Sequence, residues 1–230
     1  NIKKWDDLNL KTDLLRGIYS YGFEYPSDIQ KRAIYPIING KDVIAQAQSG
    51  TGKTGTFSIA SLQLIDESIN STQILVLTTT RELATQTHKV FTDIGTFMEN
   101  ITTKLLVGGT SVNDDIKYLS NTNPHVIIGT PGRVFDMIKR KKINLYTVKL
   151  FIMDEADEML SSGFRDQIKT IFEYFNDSIQ NTIFSATMPR EIIQLTQKFM
   201  NDPLRLTMKT TELSLNGIEQ YFVAAQDDLH

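Results

Sequence analysis

The chain has 230 residues, 40% of them hydrophobic and 22% charged, with 24 basic and 27 acidic side chains giving a formal charge of −3 and a pI near 5.7. Such a composition can bury one sizeable core and excludes a disordered chain, while the acidic balance argues against gripping nucleic acid by bulk charge alone. Cysteine is absent and His88, His125 and His230 are scattered, which rules out disulfides and thiolate metal sites and leaves no histidine ligand spacing.

In chain order, Asp42-Val43-Ile44-Ala45 reads as a short buried strand, followed by a Gly-rich turn and a helix from about Lys53 to Ile69. Ile74-Leu75-Val76-Leu77 is a second buried strand leading into a helix from Arg81 to about Met98. Leu105-Leu106-Val107, Val126-Ile127-Ile128, Leu150-Phe151-Ile152-Met153, Thr182-Ile183-Phe184 and Leu204-Arg205-Leu206 are further strands. Each run is too short for a helix, and the stretches between them have the length of crossover helices. The alternation predicts an α/β fold over residues 1–208, a mostly parallel sheet with helices on both faces. Lys209 to Gly217 is polar and aperiodic and reads as a linker, and Ile218 to Val223 as one more strand without a helix to cover it.

Parallel sheets hold ligands at the carboxyl ends of their strands. After the first strand comes Ala47-Gln48-Ser49-Gly50-Thr51-Gly52-Lys53-Thr54. The general phosphate-loop pattern asks for glycine where Ala47 stands, so the match is incomplete, and a plain glycine turn before a helix is the bland alternative. The working parts are present. Gly50 and Gly52 let backbone N–H groups turn toward an anion at a helix N-terminus, Lys53 supplies a charge for β- and γ-phosphates, and Thr54 a hydroxyl for Mg²⁺. Asp154, at the end of another apolar strand, can reach that Mg²⁺ through a water, and Glu155 can orient or deprotonate an attacking water. Helix capping is the alternative for these acids, and Asp157 can do some of both.

Asp154-Glu155-Ala156-Asp157 is the tetrapeptide that names the DEAD-box RNA helicases, and its company makes the resemblance specific. Gly22-Phe23-Glu24-Tyr25-Pro26-Ser27-Asp28-Ile29-Gln30 resembles the family's Q motif, and Trp5 stands where the family has an isolated upstream aromatic. Ala47 to Thr54 matches the family's own phosphate loop, in which alanine at the first position is normal. Thr79-Thr80-Arg81-Glu82-Leu83-Ala84 resembles its Pro-Thr-Arg-Glu-Leu-Ala motif with Thr79 in place of proline. Gly108-Gly109, Thr130-Pro131-Gly132-Arg133 and Ser185-Ala186-Thr187 match further motifs, so the resemblance spans nearly the whole chain. Within the family, Leu14 to Tyr19, Ala45 to Gly50, Val134 to Ile138 and Glu212 to Gln220 resemble the initiation factor 4A branch, which includes the exon-junction helicase.

The resemblance implies a RecA-like P-loop NTPase domain, the first of two, with residues 218–230 beginning the second. It implies ATP and Mg²⁺ as cofactors, with Phe23 stacked on adenine, Gln30 hydrogen-bonded to its edge and the Tyr25-Pro26 backbone close by. Gln48, Ser49, Gly50, Thr51, Gly52, Lys53 and Thr54 would hold the phosphates, with Thr54 and Asp154 at the metal. Ser185 and Thr187 would hydrogen-bond the acidic motif and couple hydrolysis to strand separation. Thr80, Arg81, Gly109, Thr130, Pro131, Gly132 and Arg133 match positions that hold the RNA backbone, a mode that carries no base sequence. Singly, each is equally well a helix cap or a surface residue. Thr79 in place of proline is expected to loosen one turn, and Trp5 either backs the adenine wall or is plain core.

Lys139-Arg140-Lys141-Lys142 could be an RNA or nuclear-import patch, although a solvated helix end is the commoner use of such a run. The functional expectation is an ATP-dependent RNA helicase domain, monomeric, partnered by RNA, by the second RecA-like domain, and by translation-initiation or exon-junction proteins. The arginines that stabilise the transferred phosphate would come from the second domain, so this chain alone should bind nucleotide and hydrolyse it poorly. An ATP-gated RNA clamp whose partner suppresses turnover is the alternative, and a phosphate-loop ATPase that ignores RNA is a third. Asn1 in place of Met raises the expectation of a longer parent chain. Lacking a signal peptide and any bilayer-length apolar run, the protein is expected in cytoplasm or nucleus, neither secreted nor membrane-bound.

Overall fold

The computed structural model describes residues 2–208; the expected linker and the strand after it lie outside them. A short 3₁₀ turn over Trp5–Leu8 precedes α1 (Thr12–Ser20) and α2 (Asp28–Ile38). Then come β1 (Val43–Gln46), α3 (Lys53–Leu64), β2 (Ile74–Leu77), α4 (Arg81–Ile94), β3 (Thr103–Leu106) and α5 (Val112–Asn121). The chain continues through β4 (Val126–Gly129), α6 (Pro131–Lys139), β5 (Leu150–Met153), α7 (Ala156–Ser161) and α8 (Arg165–Glu173). It ends with β6 (Gln180–Ser185), α9 (Arg190–Phe199) and β7 (Leu204–Thr207).

The strands form one seven-stranded sheet in the order β3-β4-β2-β5-β6-β1-β7, and every pairing is parallel. Side chains alternate across a strand, so β2 splits its apolar residues between two cores. Ile74 and Val76 join Leu14, Ile18, Ile34, Phe57 and Phe91 from α1 to α4 on one face. Leu75 and Leu77 join Leu119, Val134, Met159, Ile168 and Leu195 from α5 to α9 on the other. Burial on both faces explains why the central strands read as unbroken apolar runs.

Local chemistry sets where the helices begin and end. Ser27 and Gln30 form a capping box at the start of α2, Thr80 accepts the Leu83 N–H at 3.2 Å to cap α4, and Pro131 opens α6 at its first position. The helix expected to run to Ile69 stops at Leu64. Buried Gln73 holds the following turn instead: its Oε1 accepts the Asp66 N–H at 2.9 Å, and its Nε2 donates to the Asp66 and Ile69 carbonyls at 2.8 and 3.1 Å. α4 likewise ends at Ile94, where Gly95 turns the chain and Met98 donates its N–H to the Gly95 carbonyl.

Candidate functional site

The phosphate loop leaves β1 and enters α3. It is tied to the next strand over, since the Ala47 N–H donates to the Ser185 carbonyl at 3.0 Å. Gly52 has φ of 96°, and a Cβ there would come within 2.8 Å of Ser27 Oγ and 3.2 Å of Gln30 Nε2. Only glycine combines that backbone with that close approach. Gln48, Ser49 and Gly50 are exposed and Thr51 half-buried, its hydroxyl donating to the Gln48 carbonyl at 2.9 Å. Lys53 and Thr54 open α3, with Lys53 buried and Thr54 half-buried.

The acidic partner arrives from β5, which β6 separates from β1 in the sheet. Lys53 Nζ stands 3.8 Å from Asp154 Oδ1 just beyond β5. Burial pushes the Asp154 carboxyl up to about 6, against the pull of the Lys53 ammonium in the opposite direction. A buried carboxylate with one cation at the edge of contact is a site where a further positive charge is favourable. With Thr54 beside it, the donor set is hard oxygen, and among the described residues no group of three or more His, Cys, Asp or Glu forms a metal cage. That suits Mg²⁺, which is bound through one or two protein oxygens together with substrate phosphates.

Glu155 follows in the left-handed region, φ 52° and ψ 48°, rare for a residue with a Cβ. Its N–H donates to Asp154 Oδ1 at 3.0 Å, and its carboxylate Oε2 accepts the Thr79 hydroxyl at 3.0 Å. Thr79, which stands where the motif has proline, is buried at 9% exposure. Asp157 is taken up by the segment after β6: its Oδ2 accepts both the Thr187 N–H at 2.9 Å and the Thr187 hydroxyl at 2.7 Å. The Asp157 N–H donates to Ser185 Oγ at 3.2 Å, and that hydroxyl donates to the Thr187 carbonyl at 2.7 Å. Burial raises the Asp157 carboxyl, and the hydrogen bonds it accepts from Thr187 help to outweigh that, holding the group below the usual carboxylate range.

Phe23 forms one wall of a cleft of about 310 Å³ whose lining includes Gly50, Gly52, Lys53, Thr54, Asp154 and Glu155. Trp5 is fully buried behind it, its ring stacked at 6.1 Å and 19° to the Phe23 ring and its indole N–H donating to the Phe23 carbonyl at 2.9 Å. Gln30 is buried, its Oε1 accepting the Ser27 N–H at 2.7 Å and its Nε2 reaching the Gly52 carbonyl at 3.4 Å. Tyr25 is exposed and Pro26 buried, and neither side chain lines the cleft. Tyr21, Leu83, Gln86 and Val90 do line it and were missed in the sequence. The i, i+3, i+7 spacing of the last three along α4 was the available signal.

A second strip follows the ends of β2, β3 and β4. Thr80 and Arg81 are exposed, and Gly109, at φ 80°, lies so close under the Arg81 guanidinium that a Cβ there would collide with it. Thr130 and Pro131 are buried and Gly132 half-buried. Arg133, which matches a position that holds the RNA backbone, is buried and engaged within the protein. Its guanidinium pairs with the buried Asp115 carboxylate and donates to the Thr110 hydroxyl at 3.0 Å and carbonyl at 2.9 Å. Three residues of the basic run make local contacts: Arg140 with Asp136 at 2.9 Å, Lys142 with Ser120 at 2.9 Å, and Lys139 over the Phe135 ring. His125 accepts the Thr102 N–H, and His88 contacts the Thr103 hydroxyl; no helix among the described residues is long and apolar enough to cross a membrane.

The DEAD/DEAH box helicase family profile matches residues 27–195. An ATP-dependent RNA helicase eIF4A of Chaetomium globosum is 55% identical over 227 residues, covering 99% of this chain and 57% of that protein. The eIF4A of Lodderomyces elongisporus is 54% identical over 96% of this chain and 55% of its own length. The chain thus spans a little over half the length of these curated relatives. Among solved structures, a DEAD box protein of Methanococcus jannaschii superposes with a TM-score of 0.85 at 38% identity over 90% of this chain and 56% of that one. Saccharomyces cerevisiae Dbp5 bound to RNA and ADP BeF3 gives 0.81 at 36% identity over 90% and 52%.

Proposed function

The chain belongs to the DEAD/DEAH box helicase family, and from that premise we propose that it is the ATP-binding half of an ATP-dependent RNA helicase. The observation that carries this is the meeting of Lys53, Asp154 and Glu155 in one cleft at the head of the phosphate loop. Phosphates of ATP sit against the loop N–H groups and the Lys53 ammonium, where the α3 N-terminus favours anions. Thr54 and Asp154 would hold Mg²⁺, which, when bound, neutralises charge on the β- and γ-phosphates. Glu155 orients the attacking water and accepts its proton.

Phe23 offers adenine a flat apolar face, fixed from behind by Trp5. Gln30 keeps one N–H and one lone pair after its two contacts within the protein. A carboxamide has two of each, and one donor beside one acceptor is what an adenine edge pairs with. Thr80, Arg81 and Gly109 would meet the RNA backbone, while Thr130, Pro131 and Gly132 shape the surface beside them. Arg133 contributes by anchoring that surface through Asp115 and Thr110. The tie of Asp157 to Ser185 and Thr187 links the ATP site to the segment after β6 and gives hydrolysis a mechanical outlet. The second RecA-like domain would supply the remaining charge on the transferred phosphate. The eIF4A relatives favour translation initiation as the setting.

The test is ATPase rate with and without RNA, on this chain and on one extended through the second domain. Only the extended protein should turn over briskly, stimulated by RNA. Glu155→Gln should lower that turnover by about a hundredfold or more while ADP still binds. Brisk hydrolysis by this chain alone, indifferent to RNA, would remove both the two-domain mechanism and the RNA contacts.

A further inference from the structure

We infer that Thr79 is a positioning residue for ATP hydrolysis, holding the Glu155 carboxylate through its side-chain hydroxyl; this rests on the proposed role of Glu155. The geometry comes from the sheet. β2 and β5 are neighbours in register, Leu77 beside Met153, and the Asp154 N–H donates to the Leu77 carbonyl at 3.0 Å. The residues just past the two strand ends therefore face each other. Thr79 Oγ1 lies 3.0 Å from Glu155 Oε2, and among the described residues this is the one hydrogen bond that the carboxylate accepts.

Both partners are held. Thr79 is 9% exposed on a segment whose Thr78 N–H donates to the Gly129 carbonyl at 3.0 Å. Its β-branched side chain has few rotamers to choose from. The Glu155 backbone sits in the left-handed region with its N–H on Asp154. A glutamate side chain has three torsions, and the hydroxyl removes their freedom by engaging one oxygen. The other oxygen, Oε1, is left for the water. A proline at this place, as in the motif this segment resembles, has no donor to offer. This chain therefore fixes its glutamate by a contact that the motif does not carry.

A merely structural bond would clamp α7 to β2 and affect folding or nucleotide affinity. Positioning affects the chemical step instead. In the full-length protein, Thr79→Val should lower RNA-stimulated kcat about tenfold or more, as loss of one hydrogen bond to a charged group predicts. The KM for ATP and the affinity for a fluorescent ADP should stay within about twofold. Thr79→Ser, which restores the hydroxyl, should recover most of the rate. In a Glu155→Gln background the valine change should add nothing, since the two then act through one group. An unchanged kcat in Thr79→Val, an equal loss in the serine variant, or a loss carried by ADP affinity would each overturn the proposal. If Glu155→Gln abolishes turnover and Thr79→Val does not, the role of Glu155 stands and Thr79 alone is excluded. If Glu155→Gln turns over normally, both fall.

Discussion

Trp5 is the chain's one tryptophan, and it lies fully buried against a half-buried ring at the rim of the cleft. Its indole N–H satisfies the carbonyl of the very residue whose ring it backs. Trp5→Phe keeps an aromatic there and removes the donor, leaving the Phe23 carbonyl short of a partner. Stability should fall by about 1–2 kcal/mol in a thermal melt, and fluorescent-ADP affinity should fall with it because the Phe23 wall loses its fixed angle. A melt that shifts with ADP affinity intact would assign Trp5 to the core alone. At this scale the sequence was informative where a side chain's chemistry is narrow. Lys53, Asp154 and Glu155 each stand just past the carboxyl end of a parallel strand, and they line one cleft. The Thr79 contact is not legible in the sequence because the hydroxyl's partner lies across the sheet, 76 positions away, beyond any local pattern.

Three elements meet at Asp115. This carboxylate on α5 pairs with Arg133 on α6 and, at 2.8 Å, with Lys104 on β3, and both its pairs are largely shielded from water. Breaking a buried ion pair by removing one partner leaves uncompensated charge inside. Asp115→Ala should therefore cost about 3–5 kcal/mol, read by denaturant unfolding, and should loosen the Thr130 to Arg133 surface. A loss under about 1 kcal/mol would mean that the two cations find water easily, in which case the surface is not held from beneath. The elements themselves were largely legible. Unbroken apolar runs mark the central strands, buried on both faces, and the seven strands expected among the described residues fall within a residue or two of their place. Helix ends were not, because α3 is stopped by Gln73, a residue beyond its own periodic stretch. The sheet order, with β1 seated between β6 and β7, depends on packing between distant segments and leaves no trace in local periodicity.

For the whole molecule, an acidic balance leaves the proposed nucleic-acid strip to work by geometry more than by bulk charge. Of the two arginines on the strip, Arg81 is exposed and Arg133 is neutralised by Asp115. Each neutralised phosphate contributes a slope of about −0.7 to log affinity against log salt for single strands. This chain should therefore bind short single-stranded RNA weakly, with a slope of about −1 to −2 by fluorescence anisotropy. A slope beyond about −4 would point to a basic surface elsewhere. The placement of β1 has another consequence, one of timing. Its residue Val43 pairs with Thr182 and Leu204, and the loop that follows it is pinned by the Ser185 carbonyl. A ribosome adding roughly 5–20 residues per second keeps that strand waiting on the order of ten seconds for either neighbour. The segment proposed to grip phosphate is thus made early and completed late, and a nascent chain stopped before Gln180 should have no site for a nucleotide to rescue.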